Sequence, residues 1–283
     1  MRSVVDSAIM AAMNTLTAGF IKENLLVDDT KLANALTRTA GRLALRMRAE
    51  GLETAQKTSV SDVVTQADTA AEQFVVEALT ALRPEDGLLG EEGAAKKSTS
   101  GRTWVIDPVD GTYNFSCGSD YFCSALALVE GDPAEPKQIA ASAVTRPALD
   151  TTWVAEDAGA SVNGTPLPTL RSAPLESLAL ATYLHPRDMN NAAIRDTWLD
   201  AVNRAATVRM FGAGSIDLAT VASGGVGGWL QHSVPAWDWL PGKALVEAVG
   251  GRAEQITAGG VTWSVAGNPQ LVADVLAKLE SHV

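Results

Sequence analysis

The sequence predicts an α+β fold built as two layered halves, and three observations carry that prediction. Helical periodicity dominates the first third of the chain, β-rich runs with hairpin punctuation follow, and strands alternate with helices after about Leu170. The change of pattern places a seam near 165–175, with a half ending at 168 before it and a half spanning 169–283 after it. With 283 residues and 46% hydrophobic composition, the chain can bury one large core or two modest ones.

The elements follow in order. "MRSVVDSAIMAAMNTLTAGF" is interrupted by Asp6, Ser7, Asn14 and Thr15, so it reads as an amphipathic helix and not as a signal peptide or membrane span. Residues 30–50 place Leu32, Leu36, Leu43 and Met47 at helical spacing and end at Gly51; a second helix, Thr69 to Leu82, stops at Arg83-Pro84. Strand signals come next in "GLLGEE", "TWVID", "YFCSALALVEG", "QIAASAVTRP" and "DTTWVAE", with turns at Gly131-Asp132-Pro133 and Asn163-Gly164. Then "SLALATYL" is a strand, "NAAIRDTWLDAVNRA" a helix, "TVRMFG" a strand, "SIDLATVASGG" a helix and "VGGWLQH" a strand. "DWLPGKALVEAVGG" and "PQLVADVLAKLESH" are the last two helices.

Composition excludes several classes. A net charge of −11 without any run of Lys or Arg argues against a nucleic-acid partner. The doublet Lys96-Lys97 lies among Gly, Ser and Thr and reads as a solvated loop. Cys117 and Cys123 form neither a CxxC pair nor a disulfide framework, which points to a reducing, cytoplasmic setting. Three histidines (His185, His232, His282) are too few for a His-built zinc site, and no run of 18 apolar residues calls for a membrane. Trp237-Asp238 occurs once, without the period of a propeller. Asn163-Gly164-Thr165 reads as a turn and not as a glycosylation site.

Chemistry concentrates in "TWVIDPVDGTYNF". The apolar run Trp104-Val105-Ile106 leads into Asp107 and Asp110, two carboxylates that should repel each other and resist burial. Asp and Gly are ordinary turn residues, so the motif alone decides little. Its neighbours sharpen it. Glu91 and Glu92 end the run "GLLG", Asp68 starts a helix after an apolar run, and Asp238 sits among tryptophans at a helix start. Asp68 and Asp238 each also suit an N-cap, but four acidic groups that all terminate hydrophobic elements are hard to explain as separate caps. A hard cation neutralises such a set, and oxygen ligands without thiol or imidazole favour Mg²⁺. Gly111 permits a close turn, and the Gly111 and Thr112 amides suit an anion if a helical turn begins there. With no GxSxG elbow, P-loop or Cys-His pairing, metal-activated water is the economical nucleophile for phosphoryl transfer.

These motifs resemble the inositol monophosphatase family of Mg²⁺-dependent, typically lithium-sensitive phosphomonoesterases. "DVVTQAD" (Asp62 to Asp68), "GEE" (Gly90 to Glu92), "WVIDPVDGTYNF" and "WDWLPGKALVEAVGG" stand in family order from about Lys57 to Gly251. The resemblance implies a layered αβαβα sandwich, usually dimeric, and two or three Mg²⁺ ions held by Glu91, Asp107, the Val109 carbonyl, Asp110 and Asp238. Glu91 and Thr112 would orient and deprotonate the attacking water. Asp68 would support Thr112 and a weakly held metal. The Gly111 and Thr112 amides would grip the phosphate, with Asp110 and Gly214 beside it, and Lys57 would lie on a loop near the metals. Residues 1–27 would be an extension, most simply a packing or dimer helix, ahead of a half at 28–168 that carries most of the ligands.

Departures from the family pattern concern the substrate. Where inositol-hydrolysing members commonly place a Glu against ring hydroxyls, this chain has Gln231, which loses the charge-assisted contact and would not favour a cationic amine. No other acidic residue lies between Asp217 and Asp238. "FGAGSIDLA" lies where the family lines its pocket with a helix start. Pro241-Gly242 follows the WD pair, tolerable in a first helical turn. Tyr113, Trp237, Trp239 and His185 are further candidates for the pocket, with core packing or a plain loop as the competing roles. The expected substrate is a small polyol or sugar phosphate, inositol 1-phosphate first, with histidinol phosphate, fructose bisphosphate and nucleotide 3′-phosphates behind it. A catalytically weak regulatory or binding homologue is the reading from a different class.

Overall fold

A computed structural model describes residues 2–50, 54–56, 63–156 and 158–283. Helices α1 (Arg2–Glu23), α2 (Asp29–Ala49) and α3 (Gln66–Leu82) open the chain, and β1 (Thr54–Gln56) pairs antiparallel with β2 (Val63–Thr65) between the last two. The first large sheet contains β3 (Gly87–Gly90), β4 (Ala95–Lys96) and β5 (Arg102–Asp110). After the short helix α4 (Thr112–Ser116) it continues with β6 (Cys123–Asp132), β7 (Glu135–Arg146), β8 (Thr151–Glu156), β9 (Gly159–Val162) and β10 (Thr165–Pro166). Its spatial order is β10-β9-β8-β7-β6-β5-β3-β4, antiparallel except for the parallel pair β3–β5. The remaining elements are β11 (Ala179–Tyr183), α5 (Ala192–Val202), β12 (Thr207–Arg209), α6 (Gly214–Ala222), β13 (Gly228–His232), α7 (Ala236–Ala248), β14 (Arg252–Ala258), β15 (Val261–Gly267) and α8 (Pro269–Leu279). They form a second sheet of order β12-β11-β13-β15-β14, parallel from β12 to β13 and antiparallel beyond.

Side-chain alternation explains the layering. In β5, Trp104 and Ile106 face a core shared with α1, α2 and α3, while Val105 faces the opposite core with α6 and α7. In β6, Leu126 and Leu128 point to the first core, and the small Ala125 and Ala127 point to the second, where two helices lie close against the sheet. Strand β13 repeats the device: Trp229 faces α6 and α7, and Leu230 joins α5 and α8 on the far side. The layers therefore run helix, sheet, helix, sheet, helix, the αβαβα sandwich that the family resemblance implies. Asp28, Asn191 and Asn268 cap α2, α5 and α8 by accepting backbone N–H groups, which sets where those helices begin.

Two features differ from the sequence expectation. The hairpin β14–β15 fills the stretch between Gly251 and Pro269, to which no element is assigned above. Its signal is the Gly259-Gly260 turn, both residues at positive φ (58° and 81°), but β14 is a half-exposed edge strand with little hydrophobic contrast. Pro241 is the sixth residue of α7, past the first turn, so the Trp237 carbonyl has no intrahelical donor there. Ser142 Oγ donates to the Pro241 carbonyl at 2.8 Å and fixes α7 on β7.

Gly242 is where α6 and α7 touch. A Cβ at this position would lie 2.4 Å from Leu218 Cβ and 2.4 Å from its Cδ1. Gly242→Ala should therefore lower stability by about 1–3 kcal/mol through overpacking, read as a reduced urea midpoint in Mg²⁺-free buffer. An unchanged midpoint would mean that the two helices separate without cost.

Candidate active site

A regular strand would send Asp107 and Asp110 to opposite faces, because side chains alternate and the two are three residues apart. Strand β5 avoids this with a bulge at its end. Asp107 pairs with Ala125 and Asp110 with Cys123, so three steps on β5 match two on β6. Val109 turns into the first core, and both carboxylates emerge on the α6–α7 side. There they meet Asp238, third residue of α7, and one oxygen from each of the three lies within 4.8 Å of the others.

Burial sets the electrostatics. Asp107 is inaccessible to solvent and Asp110 nearly so. Desolvation pushes the Asp107 carboxyl well above its usual range, and the charges of Glu91, Asp110 and Asp238 push it further. Asp238 is raised well above its range by the same burial and by Asp110. Asp110 is raised too, but less freely, because the Ser215 and Gly214 amides, Cys123 Sγ and other donors favour its charged form. Asp107 Oδ1 accepts from the Val109 amide at 3.1 Å, whereas Oδ2 is buried with no protein donor. Asp238 stands within hydrogen-bonding range of Asp107, yet two ionised carboxylates have no proton to share. The group these atoms lack is a cation. Only oxygens are offered to it: burial and the neighbouring Asp110 and Asp107 keep the Cys123 thiol protonated. An all-carboxylate set fits Mg²⁺ and not zinc.

The acidic cluster forms the floor of a cavity of about 400 Å³. Glu91, Thr112, Gly214 and Gln231 line it together with the three aspartates. Gly111 takes φ +88°, and a Cβ there would meet Ala213 Cβ at 3.0 Å and two carbonyl oxygens at 3.2 Å, so only glycine makes this turn. The Thr112 hydroxyl has two acceptors in reach, Val109 O at 3.1 Å and Asp68 Oδ2 at 3.5 Å. Asp110 crosses to the second half of the chain, accepting from Gly214 N (3.2 Å) and Ser215 N (2.5 Å) at the start of α6.

A family profile, the inositol monophosphatase family, matches residues 26–281. The chain belongs to that family. An inositol-1-monophosphatase of Rhizobium meliloti is 33% identical over 203 residues, 71% of this chain and 74% of its own. A Nus factor SuhB of Pseudomonas aeruginosa is 30% identical over 274 residues, 89% and 96% of the two chains. Among solved structures, the SuhB protein of Bartonella henselae superposes with a TM-score of 0.75 at 27% identity, covering 88% of this chain and 96% of that one. The Thermotoga maritima IMPase gives 0.74 at 25% identity, with 91% and 100% covered. The family is one of Mg²⁺-dependent phosphatases, and the donor set here suits that ion.

Within this family member the sequence-derived candidates separate. Asp107, Asp110 and Asp238 converge on one point. Glu91 lies in the same cavity and acts electrostatically on Asp107 and Asp238 without joining that tight trio. Asp68 is buried in the first turn of α3, next to Thr112. Gly214 lines the cavity, but its N–H is committed to Asp110. Tyr113 lines the cavity and is half exposed, whereas Trp239 is buried against Trp229, ring centroids 5.8 Å apart, and serves the core. His185 takes the Arg187 amide on its Nδ1 and is not among the residues lining the cavity. Lys57 and Asp62 lie outside the described residues. No helix of the described residues is long and apolar enough to cross a membrane.

Sequence reasoning did not single out Asn114, whose amide group joins α4 to the segment before α6, or Asp217. Asp217 is buried in the first turn of α6 and accepts the Tyr121 hydroxyl at 2.7 Å. Burial pushes its carboxyl to about 8, the Tyr121 hydrogen bond opposing and Asp110 reinforcing the rise. Folded Asp217 thus keeps a proton that the unfolded chain releases near pH 4. Its contribution to stability is fully present below that pH and is lost as pH rises to about 8. Asp217→Asn keeps the acceptor for Tyr121 and should flatten this part of the profile, by at most about 1.4 kcal/mol per pH unit. Urea midpoints in Mg²⁺-free buffer from pH 5 to 8 check it; parallel wild-type and variant curves would contradict it.

Proposed function

We propose that this chain is a Mg²⁺-dependent phosphomonoesterase acting on a small polyol or sugar phosphate, with inositol 1-phosphate the foremost candidate. The observation that carries this reading is the trio Asp107, Asp110 and Asp238, the first two buried and the third half-buried, with the donorless Oδ2 of Asp107 inside it. Two or three Mg²⁺ ions would be held by Glu91, Asp107, the Val109 carbonyl, Asp110 and Asp238, supplying Lewis acidity toward the phosphoryl oxygens and toward water. The Thr112 hydroxyl donates to Val109 O or Asp68, which leaves its lone pairs free to accept from water and orient it. Glu91 lies in the same cavity and would take the water's proton. The Gly111 and Thr112 amides would grip the phosphate, and Gln231 would meet the leaving group's hydroxyls from β13; all three residues line the cavity. The ligand is then a small phosphorylated metabolite. The family resemblance points to a homodimer, the cysteine pattern to the cytoplasm, and the charge of −11 away from nucleic acid.

A second reading is a regulatory role with weak catalysis, favoured by relatives named Nus factor SuhB that match nearly the full length. Turnover of a generic phosphomonoester with and without Mg²⁺ separates the two. Asp110→Asn keeps the volume and one acceptor for the α6 amides but removes a ligand charge. Turnover should fall about a hundredfold or more while the fold persists by circular dichroism. Near-wild-type activity would remove Asp110 from the site.

Substrate preference tests Gln231. Beyond Asp107, Asp110, Asp238, Glu91 and Glu92, no carboxylate is found among the described residues lining the cavity, so a cationic leaving group lacks a dedicated partner on β13. A charge-assisted hydrogen bond is worth roughly 1.5–3 kcal/mol. Inositol 1-phosphate should therefore show a kcat/KM about tenfold or more above that of histidinol phosphate. Gln231→Glu should retain or improve inositol-phosphate hydrolysis. A measured preference for histidinol phosphate would overturn the substrate assignment.

A further inference from the structure

Asn114 follows Asp110 by four residues, and the two side chains grip the same neighbouring segment with opposite hydrogen-bonding character. Asp110 accepts from the amides of Gly214 and Ser215. Asn114 Nδ2 donates to the carbonyls of Phe211 at 2.7 Å, Gly212 at 3.2 Å and Tyr121 at 3.0 Å. Three carbonyl oxygens around one atom identify it as the nitrogen; with two hydrogens for three acceptors, one bond is bifurcated. Gly212 takes φ +84°, and a Cβ there would sit 3.3 Å from Nδ2, so the backbone passes directly over the amide. Tyr121 adds to the clamp, its ring 5.1 Å from that of Phe211 and its hydroxyl on Asp217.

We propose that Asn114 is a positioning residue for metal binding, holding segment 211–215 against the 110–114 turn so that Asp110 stays on the shared face with Asp107 and Asp238. The amides that orient Asp110 lie in the same segment whose carbonyls Asn114 holds. Three like charges tend to separate, and Asp110 can yield only if its α6 partners move with it. Releasing residues 211–212 frees that movement. Outer partners of metal ligands act in this way, and their loss typically costs about ten- to a hundredfold in affinity. The inference rests on the metal reading of the site given under Proposed function.

The test uses the full chain with Asn114→Ala and Asn114→Leu; the first removes the amide, the second keeps its size without donors. Calorimetric titration of the metal-free proteins with Mg²⁺ should show binding weakened by roughly ten- to a hundredfold in both. At saturating Mg²⁺, kcat should drop about tenfold or more while KM stays within about threefold, since a loosened ligand set acts on the transition state. A purely structural role would lower the unfolding midpoint of the metal-free protein and leave Mg²⁺ affinity and kcat near wild type, and that result overturns the proposal. Failure of both variants to fold would also overturn it, because two sheets with their own cores should not depend on a positioning group. If the unsubstituted protein binds no Mg²⁺, the metal reading fails as well. If it binds Mg²⁺ and only the variants are unaffected, this inference alone falls.

Discussion

Three carboxylates held within 4.8 Å of one another, two of them buried and the third half-buried, form the constraint on which the rest of the structure depends. Two unit charges 4 Å apart repel by about 4 kcal/mol even at an effective dielectric constant of about 20. Protonation or a cation must relieve that repulsion, and the raised carboxyls of Asp107 and Asp238 are the metal-free answer. The scaffold cannot relieve it by relaxing. Asp107 and Asp110 sit at the end of a strand flanked on both sides by cores, and Asp238 is rooted in a helix packed between two sheets.

The position of the cavity follows from topology. Each large sheet is mixed, with parallel pairs at β3–β5 and at β12–β11–β13. Glu91 follows β3, Asp107 and Asp110 end β5, Tyr183 ends β11, Met210 follows β12, and Gln231 lies near the end of β13. All six line the one cavity. Ligand sites in open sheets gather outside the carboxyl ends of parallel strands, and here two sheets bring those ends to a common mouth. The first contributes Glu91, Asp107 and Asp110, the second contributes Tyr183, Met210 and Gln231, and helix α7 between them adds Asp238, so the ligand charge is drawn from both halves of the chain.

The join between them is polar where it meets the cavity and apolar behind it. Asp110, Asn114 and Tyr121 on one side meet the backbone of 211–215 and Asp217 on the other. Behind them lies a core that includes Val105, Ala125, Leu218, Trp229 and Leu245. Small side chains there permit the close approach that Gly242 and Leu218 display. Arg48 braces the same region from α2, its guanidinium 4.9 Å from the Phe115 ring and 4.8 Å from the Phe122 ring while donating to the Ser119 carbonyl.

Much of this was legible in the chain itself. Helical spacing of Leu32, Leu36, Leu43 and Met47 marks α2, and the alternation of helix and strand after Leu170 marks the second sheet, because local periodicity reports directly which face an element buries. Asp107, Asp110 and Asp238 stand out because a carboxylate after an apolar run is costly wherever it lies. What tertiary structure alone decided is orientation and partnership across long separations. One extra residue between Asp107 and Asp110 puts both on one face, and that bulge exists only through pairing with Ala125 and Cys123. Asn114 looked like any turn residue until the Phe211 and Gly212 carbonyls, 97 and 98 positions away, came to rest on it. Asp217 became a titrating group only once α6 buried it beneath Tyr121. Residue type and spacing determine what each side chain can do; burial and register determine which of those capacities are brought to the same place.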